Sequence, residues 1–131
     1  MDGKELALKI CNVLDDKKAL NIEMIDITEL SILADYFVIC SGRSALQVRS
    51  LADETEEAMA KEGILLRRTD GYNEGRWIVQ DYGEVFVHFF HEEERAFYNL
   101  ERLWSNGTNT RPYPFLVKEE PEEKPEETTE E

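Results

Sequence analysis

Between Gly3 and Lys18 the apolar residues Leu6, Ile10, Val13 and Leu14 recur at helical spacing, with Lys and Asp on the opposite side. The spacing predicts a first, half-buried helix. The period then changes. "NIEMIDIT" is rich in β-branched residues and partly alternates, so Ile22 to Thr28 reads as a strand. "LADYFVICSG" supplies a second, Tyr36 to Cys40, apolar on both faces as a centrally placed strand must be. After Gly42, "SALQ" has the pattern of a capping box, with Ser44 as the cap and Gln47 reaching back to it. A helix over 45–62 follows, with Val48, Leu51, Ala52, Thr55 and Met59 inward and Gly63 in the left-handed position that commonly ends a helix. "ILLRRT", "RWIVQ" and "VFVHFF" predict three more strands, joined by the turn-rich "DGYNEG" and "DYGE" into an antiparallel meander over 64–90. The last predicted helix, Glu92 to Trp104, opens with carboxylates that suit the positive end of a helix dipole. Phe97, Leu100, Leu103 and Trp104 are expected to face the core. Two prolines in "TNTRPYPFLV" exclude further helix, so 108–117 reads as an extended segment and 118–131 as a disordered acidic tail. The expected unit is one α/β (α+β) domain, residues 1–107, on a mixed five-stranded sheet with flanking helices.

Charge narrows the partners. The tail contributes eight Glu and two Lys, hence −6 of the net −14, and leaves −8 on residues 1–117. An acidic body argues against unaided binding to free nucleic acid or to an anionic membrane, and favours a basic protein. No apolar run approaches the roughly 20 residues that cross a bilayer, and "MDGKELALKI" has no apolar signal core. Cys11 and Cys40 fall within apolar patterns and read as small buried hydrophobes of a reducing compartment, so a cytoplasmic location is expected.

The segment "VFVHFFHEEER" gathers two histidines and three carboxylates. His88 and His91 are three apart, which in a strand puts them on opposite faces, and the third and fourth ligands of a closed zinc site have no evident source. No metal and no cofactor is expected. "SGRS" before a helix has the form of a phosphate-holding turn and raises the alternative of a nucleotidyltransferase-related nucleotide-binding enzyme. Such chemistry needs clustered carboxylates for a divalent metal, commonly on the next strand, and "ILLRRT" has none. The expectation is a docking module, not an enzyme.

Three ordered stretches, "ADYFVICSGRSALQVRSLADE", "EGRWIVQDYGEVFVHFF" and "ERAFYNLERLW", resemble the Iojap-like ribosomal silencing factors, and the resemblance covers residues 3–104. It implies a mixed five-stranded sheet related to the nucleotidyltransferase fold but without its active site. It also implies binding to the large ribosomal subunit through that subunit's ribosomal protein number fourteen, which blocks subunit joining and represses translation under nutrient limitation. Relatives in organelles assist large-subunit assembly. Homodimerisation off the ribosome is left open. The chain departs from the common pattern in its Glu-rich tail and in "SGRS", where relatives often carry Asn or Asp before the Ser. The expected contact residues lie in the meander, as aromatic anchors among carboxylates: Asp70, Tyr72, Glu74, Trp77, Asp81 and Tyr82. Trp77 and Val79 share one strand face, Ile78 and Gln80 the other.

Overall fold

The structure, a computed structural model, describes residues 1–112. Its elements in chain order are α1 (Gly3–Asp16), β1 (Leu20–Asp26), β2 (Tyr36–Gly42), α2 (Ala45–Lys61), β3 (Arg68–Asp70), β4 (Trp77–Asp81), β5 (Val85–His91), α3 (Glu92–Tyr98), α4 (Leu100–Trp104) and β6 (Thr110–Pro112). The five expected strands form a mixed sheet, which a short sixth strand extends, in the order β3-β4-β5-β2-β1-β6. At its centre β2 and β5 run parallel over Tyr36↔Val85 to Gly42↔His91. The pairs β1–β2, β1–β6, β3–β4 and β4–β5 are antiparallel.

The two faces carry different cores. On one, α1 and α2 cover Met24, Val38, Cys40, Ile78, Val85, Val87 and Phe89, joined by Leu6, Ile10, Leu14, Val48, Leu51 and Met59. On the other, Ile25, Ile27, Phe37, Ile39, Phe90 and Leu100 pack with the half-buried Trp77, Phe86 and Trp104. Strand alternation makes the division: Val85, Val87 and Phe89 of β5 lie on the helix-covered face, and Phe86 and Phe90 on the other.

Several boundaries differ from the sequence-based expectation, each for a local reason. An unforeseen capping box starts α1: Asp2 Oδ1 accepts from the Glu5 N–H at 2.8 Å, and Glu5 Oε1 accepts from the Asp2 N–H at 3.0 Å. Strand β1 ends at Asp26 rather than Thr28, because Asp26 Oδ1 accepts from the Thr28 N–H at 3.0 Å and turns the chain. Ser44 caps α2 as expected, taking the Gln47 N–H at 3.1 Å, but Gln47 reaches one residue further back, to the Arg43 N–H at 2.7 Å. Of "ILLRRT" only Arg68 and Thr69 are in β3; Ile64 and Leu66 instead pack on the helix-covered core while Leu65 points to solvent.

The expected helix 92–104 is two helices. Asn99 adopts the left-handed conformation at φ 50° and breaks it, a role its short polar side chain tolerates. Of the four residues expected inside, Leu100 is buried and Trp104 half-buried, whereas Phe97 and Leu103 are 79% and 76% exposed. The extended segment from 108 contributes β6, where Thr110–Pro112 pairs with Glu23–Ile25. The expected acidic tail, 118–131, lies outside the described residues.

Arg95, buried in α3, ties this half of the molecule together. Its guanidinium donates to Glu101 Oε2 at 2.8 Å, to the Ser41 hydroxyl at 2.9 Å and to the Asn21 carbonyl, with Glu23 at 3.7 Å. Burial, more than the opposing pull of Arg95, holds the Glu23 carboxyl above its ordinary range.

Phe89 is fully buried at the sheet centre. Phe89→Ala is expected to cost about 3–5 kcal/mol of stability, read from the urea unfolding midpoint. Gly71 sits at φ 81°, where an added Cβ would stand 2.2 Å from the Trp77 carbonyl oxygen. Gly71→Ala is expected to lower the melting temperature by disrupting the β3–β4 turn, as thermal unfolding would show.

Candidate functional site

The face opposite α1 and α2 is covered by short helices of seven and five residues. They leave its β3–β4 side open. Alternation places Asp70, Trp77, Val79, Asp81, Phe86 and His88 together on that face, and the register sets Val79 beside both Asp70 and His88, and Asp81 beside Phe86. Trp77, Val79, Asp81 and Phe86 are half-buried and Asp70 is exposed. The result is an aromatic and aliphatic strip with carboxylates beside it.

Trp77 stacks on Phe90 with ring centroids 4.8 Å apart and planes inclined by 26°, and touches Tyr98 at the same separation. Its indole N–H donates to His88 Nδ1 at 3.1 Å. An indole nitrogen only donates, so His88 Nδ1 accepts and the neutral ring carries its proton on Nε2. His88 is 5% exposed and stands 4.5 Å, centroid to centroid, from the ring of Phe37. Burial alone pulls its pKa down to about 3.

The six expected contact residues do not form one patch. Asp70, Trp77 and Asp81 share the open face. Asp70 pairs with Arg68 at 3.2 Å, and Asp81 Oδ1 accepts from the Gly83 N–H at 2.7 Å. Tyr72 and Glu74 belong to the β3–β4 turn, which leans on α2: the Tyr72 hydroxyl donates to Asp53 at 2.9 Å, and Arg49 of α2 donates to the Asn73 carbonyl at 3.1 Å. The Asp53 bond holds the exposed Tyr72 phenol above its usual range. Tyr82 corrects the expectation. It is 4% exposed within the helix-covered core, and its hydroxyl donates to Gln80 Oε1 at 2.8 Å, while Gln80 Nε2 in turn donates to the Ala52 carbonyl at 2.9 Å. Continued alternation of β4 sets Tyr82 on the side of Ile78 and Gln80, and that side is the one the long helices bury.

The half-buried Val79 and Phe86 and the buried His88 lie on this face too, and sequence reasoning did not name them among the expected contacts. The signal was present for Val79 in its alternation with Trp77, but Phe86 and His88 share that face only because β5 is paired with β4.

The groups bearing other chemistry are occupied elsewhere. His91 Nδ1 accepts from the Glu93 N–H at 3.2 Å and caps α3, so the two histidines serve separate bonds. Cys11 and Cys40 are buried, and desolvation holds both thiols protonated, the first up to about 12. Among the described residues no three His, Cys, Asp or Glu side chains converge in the manner of a metal site, and no helix is long and apolar enough to cross a membrane.

The family model described as "Ribosomal silencing factor during starvation" matches residues 1–131. The chain belongs to the ribosomal silencing factor family. Relatives named as ribosomal silencing factors in Halalkalibacterium halodurans and Bacillus subtilis strain 168 are 42% and 40% identical over 107 residues. These matches span 82% of this chain, and 92% and 91% of the two relatives. A crystal structure of a Chromobacterium violaceum protein superposes with a TM-score of 0.77 at 28% identity, covering 79% of this chain and 87% of that one. In this family member, then, the open aromatic face is carried by the same fold that its solved relatives share.

His88 makes stability depend on pH with a definite sign. Its folded-state pKa lies below the ordinary 6.5, so the stabilisation is complete above that value and is lost as pH falls, because the unfolded chain takes up the proton first. At pH 5 this site is expected to contribute about 2 kcal/mol less than at pH 7.5. Urea unfolding of wild type and His88→Gln at both pH values checks it: the wild type should lose more stability on acidification than the variant by that amount.

Proposed function

We propose that the open face is the surface by which this silencing factor docks on the large ribosomal subunit, against the subunit's ribosomal protein number fourteen, and that occupancy of that site blocks subunit joining and represses translation when nutrients are limiting. The single observation that supports this reading is the half-open aromatic strip of Trp77, Val79 and Phe86, with Asp70 and Asp81 alongside, on a chain of this family. Exposed apolar area with aromatic anchors and polar surroundings is what protein–protein docking uses. Ribosomal proteins are commonly basic, and a chain of net charge −14 is steered toward them. Action by occupancy requires no catalytic group, and the relatives are named as silencing factors. Such a factor would work in the cytoplasm, where subunits meet. Asp70, Trp77 and Asp81 are its expected contacts, with Tyr72 and Glu74 at the edge of the surface.

The nucleotide-enzyme alternative finds no support in the geometry of the "SGRS" turn. The Ser44 hydroxyl and Gln47 amide oxygen already occupy backbone N–H groups at the start of α2, and Gly42 lies against Val48 and Gln47.

The test is a sucrose-gradient profile of mixed subunits. Stoichiometric wild-type protein is expected to shift ribosomes toward free subunits and to sediment with the large one; an unchanged joined-ribosome peak would refute the reading. Val79→Arg is expected to abolish this while keeping the melting temperature, whereas Leu46→Arg, at an exposed position on α2, should leave it intact. Trp77→Ala should weaken binding by at least about 2 kcal/mol. Asp70→Lys should chiefly slow association, with an effect that fades as salt shortens the Debye length from about 10 Å at 0.1 M to about 3 Å at 1 M.

A further inference from the structure

The open face has one polar group that the protein does not satisfy. His88 Nε2 is buried, carries the ring proton because Nδ1 is committed to the Trp77 indole, and has no hydrogen-bond partner. The surrounding rings of Phe37, Trp77 and Phe90 offer no acceptor oxygen. A buried donor left unpaired is costly. Trp77 therefore does two things: it presents the aromatic surface and it fixes His88 in the tautomer that leaves a donor unused beneath that surface.

Resting on the docking reading above, we propose that His88 is the specificity-determining polar residue of this face: the docked ribosomal protein brings a carbonyl oxygen, from its main chain or an Asn or Gln side chain, to accept from His88 Nε2. An ammonium or guanidinium cannot fill this role, because the ring has no free acceptor. A carboxylate is disfavoured by Asp81, while Asp70 is paired with Arg68 on the same face. The occupant is thus a segment of a basic protein that sets its cations toward these carboxylates and a neutral acceptor at the centre. The half-buried Trp104, against the Phe37 ring that touches His88, is the side chain whose displacement admits it, while Trp77 keeps its bond to His88 Nδ1. Discrimination follows from the unpaired donor: a partner without the acceptor leaves the donor orphaned in the complex, as it is in the free protein, and gains nothing from it.

The experiment titrates the full-length protein, with nitrogen-15 in its histidines, with purified large-subunit protein number fourteen. In the free protein the His88 Nε2–H resonance should report the Nε2 tautomer without a hydrogen bond, and on saturation it should move downfield. In parallel, His88→Phe should bind about tenfold more weakly or worse, as expected for a lost hydrogen bond in a desolvated site. His88→Gln should recover most of the loss, since its amide can accept from the indole and donate to the partner. A His88 signal unmoved while wild type binds, or equal affinity for wild type and His88→Phe, would overturn the proposal and leave the docking reading standing. No binding by the wild type would overturn both. Should the Phe variant fail to fold, the resonance of the wild type decides alone.

Discussion

Parallel pairing of Tyr36–Gly42 with Val85–His91 is the constraint on which the remaining structure depends. The two strands are more than forty residues apart in sequence, and both are apolar on each face, so neither can stand at an edge. Pairing them fixes which β5 residues meet the long helices and which form the aromatic face. A one-residue slip would turn Phe89 away from α1 and α2 and send Phe86 and His88 beneath them. The antiparallel additions of β4 and β1 on either side then inherit this register.

The unequal lengths of the covering helices convert that two-faced sheet into a molecule with an inside and a working side. Helices of 14 and 17 residues cover β1, β2, β4 and β5 on one face. On the other, Asn99 breaks what would have been one helix, and the pieces, with α3 against β5 and β2, leave the β3–β4 side uncovered. Arg95 secures that cover through Glu101, Ser41 and the Asn21 carbonyl, so the closed half is held by charge-assisted bonds and the open half by ring contacts. Where the ring contacts dominate, burial keeps His88 neutral and its second nitrogen unpaired. The same desolvation that weakens the fold in acid thus leaves a donor unpaired beneath the rings that border the open side.

Much of the fold was legible in the sequence because period and caps are local. The 3.6-residue stripe of α2, its Ser44 cap, the alternation of β4 and β5 and the meander turns need only neighbours a few residues away to take effect. Where local signals competed, the sequence misled: "ILLRRT" has strand propensity, but Ile64 and Leu66 bury more by packing on the helix side than by extending β3. Phe97 and Leu103 fit a helical stripe that exists only if the helix continues through Asn99.

The candidate site divides along the same line. The sequence by itself determined the kinds of residue available, the face shared by Trp77 and Val79, and membership of a family whose motifs are contiguous stretches. It did not determine that the face carrying Tyr82 is the buried one, that Tyr72 leans on Asp53, or that His88 lies beside Trp77 and Phe86 beside Asp81. Those outcomes rest on contacts between strands and on a helix packed against a turn, where burial and hydrogen bonding across the sheet choose among faces that local periodicity leaves equivalent. Only the tertiary structure could decide which side of the sheet remained open, because that depends on how much of each face the helices reach.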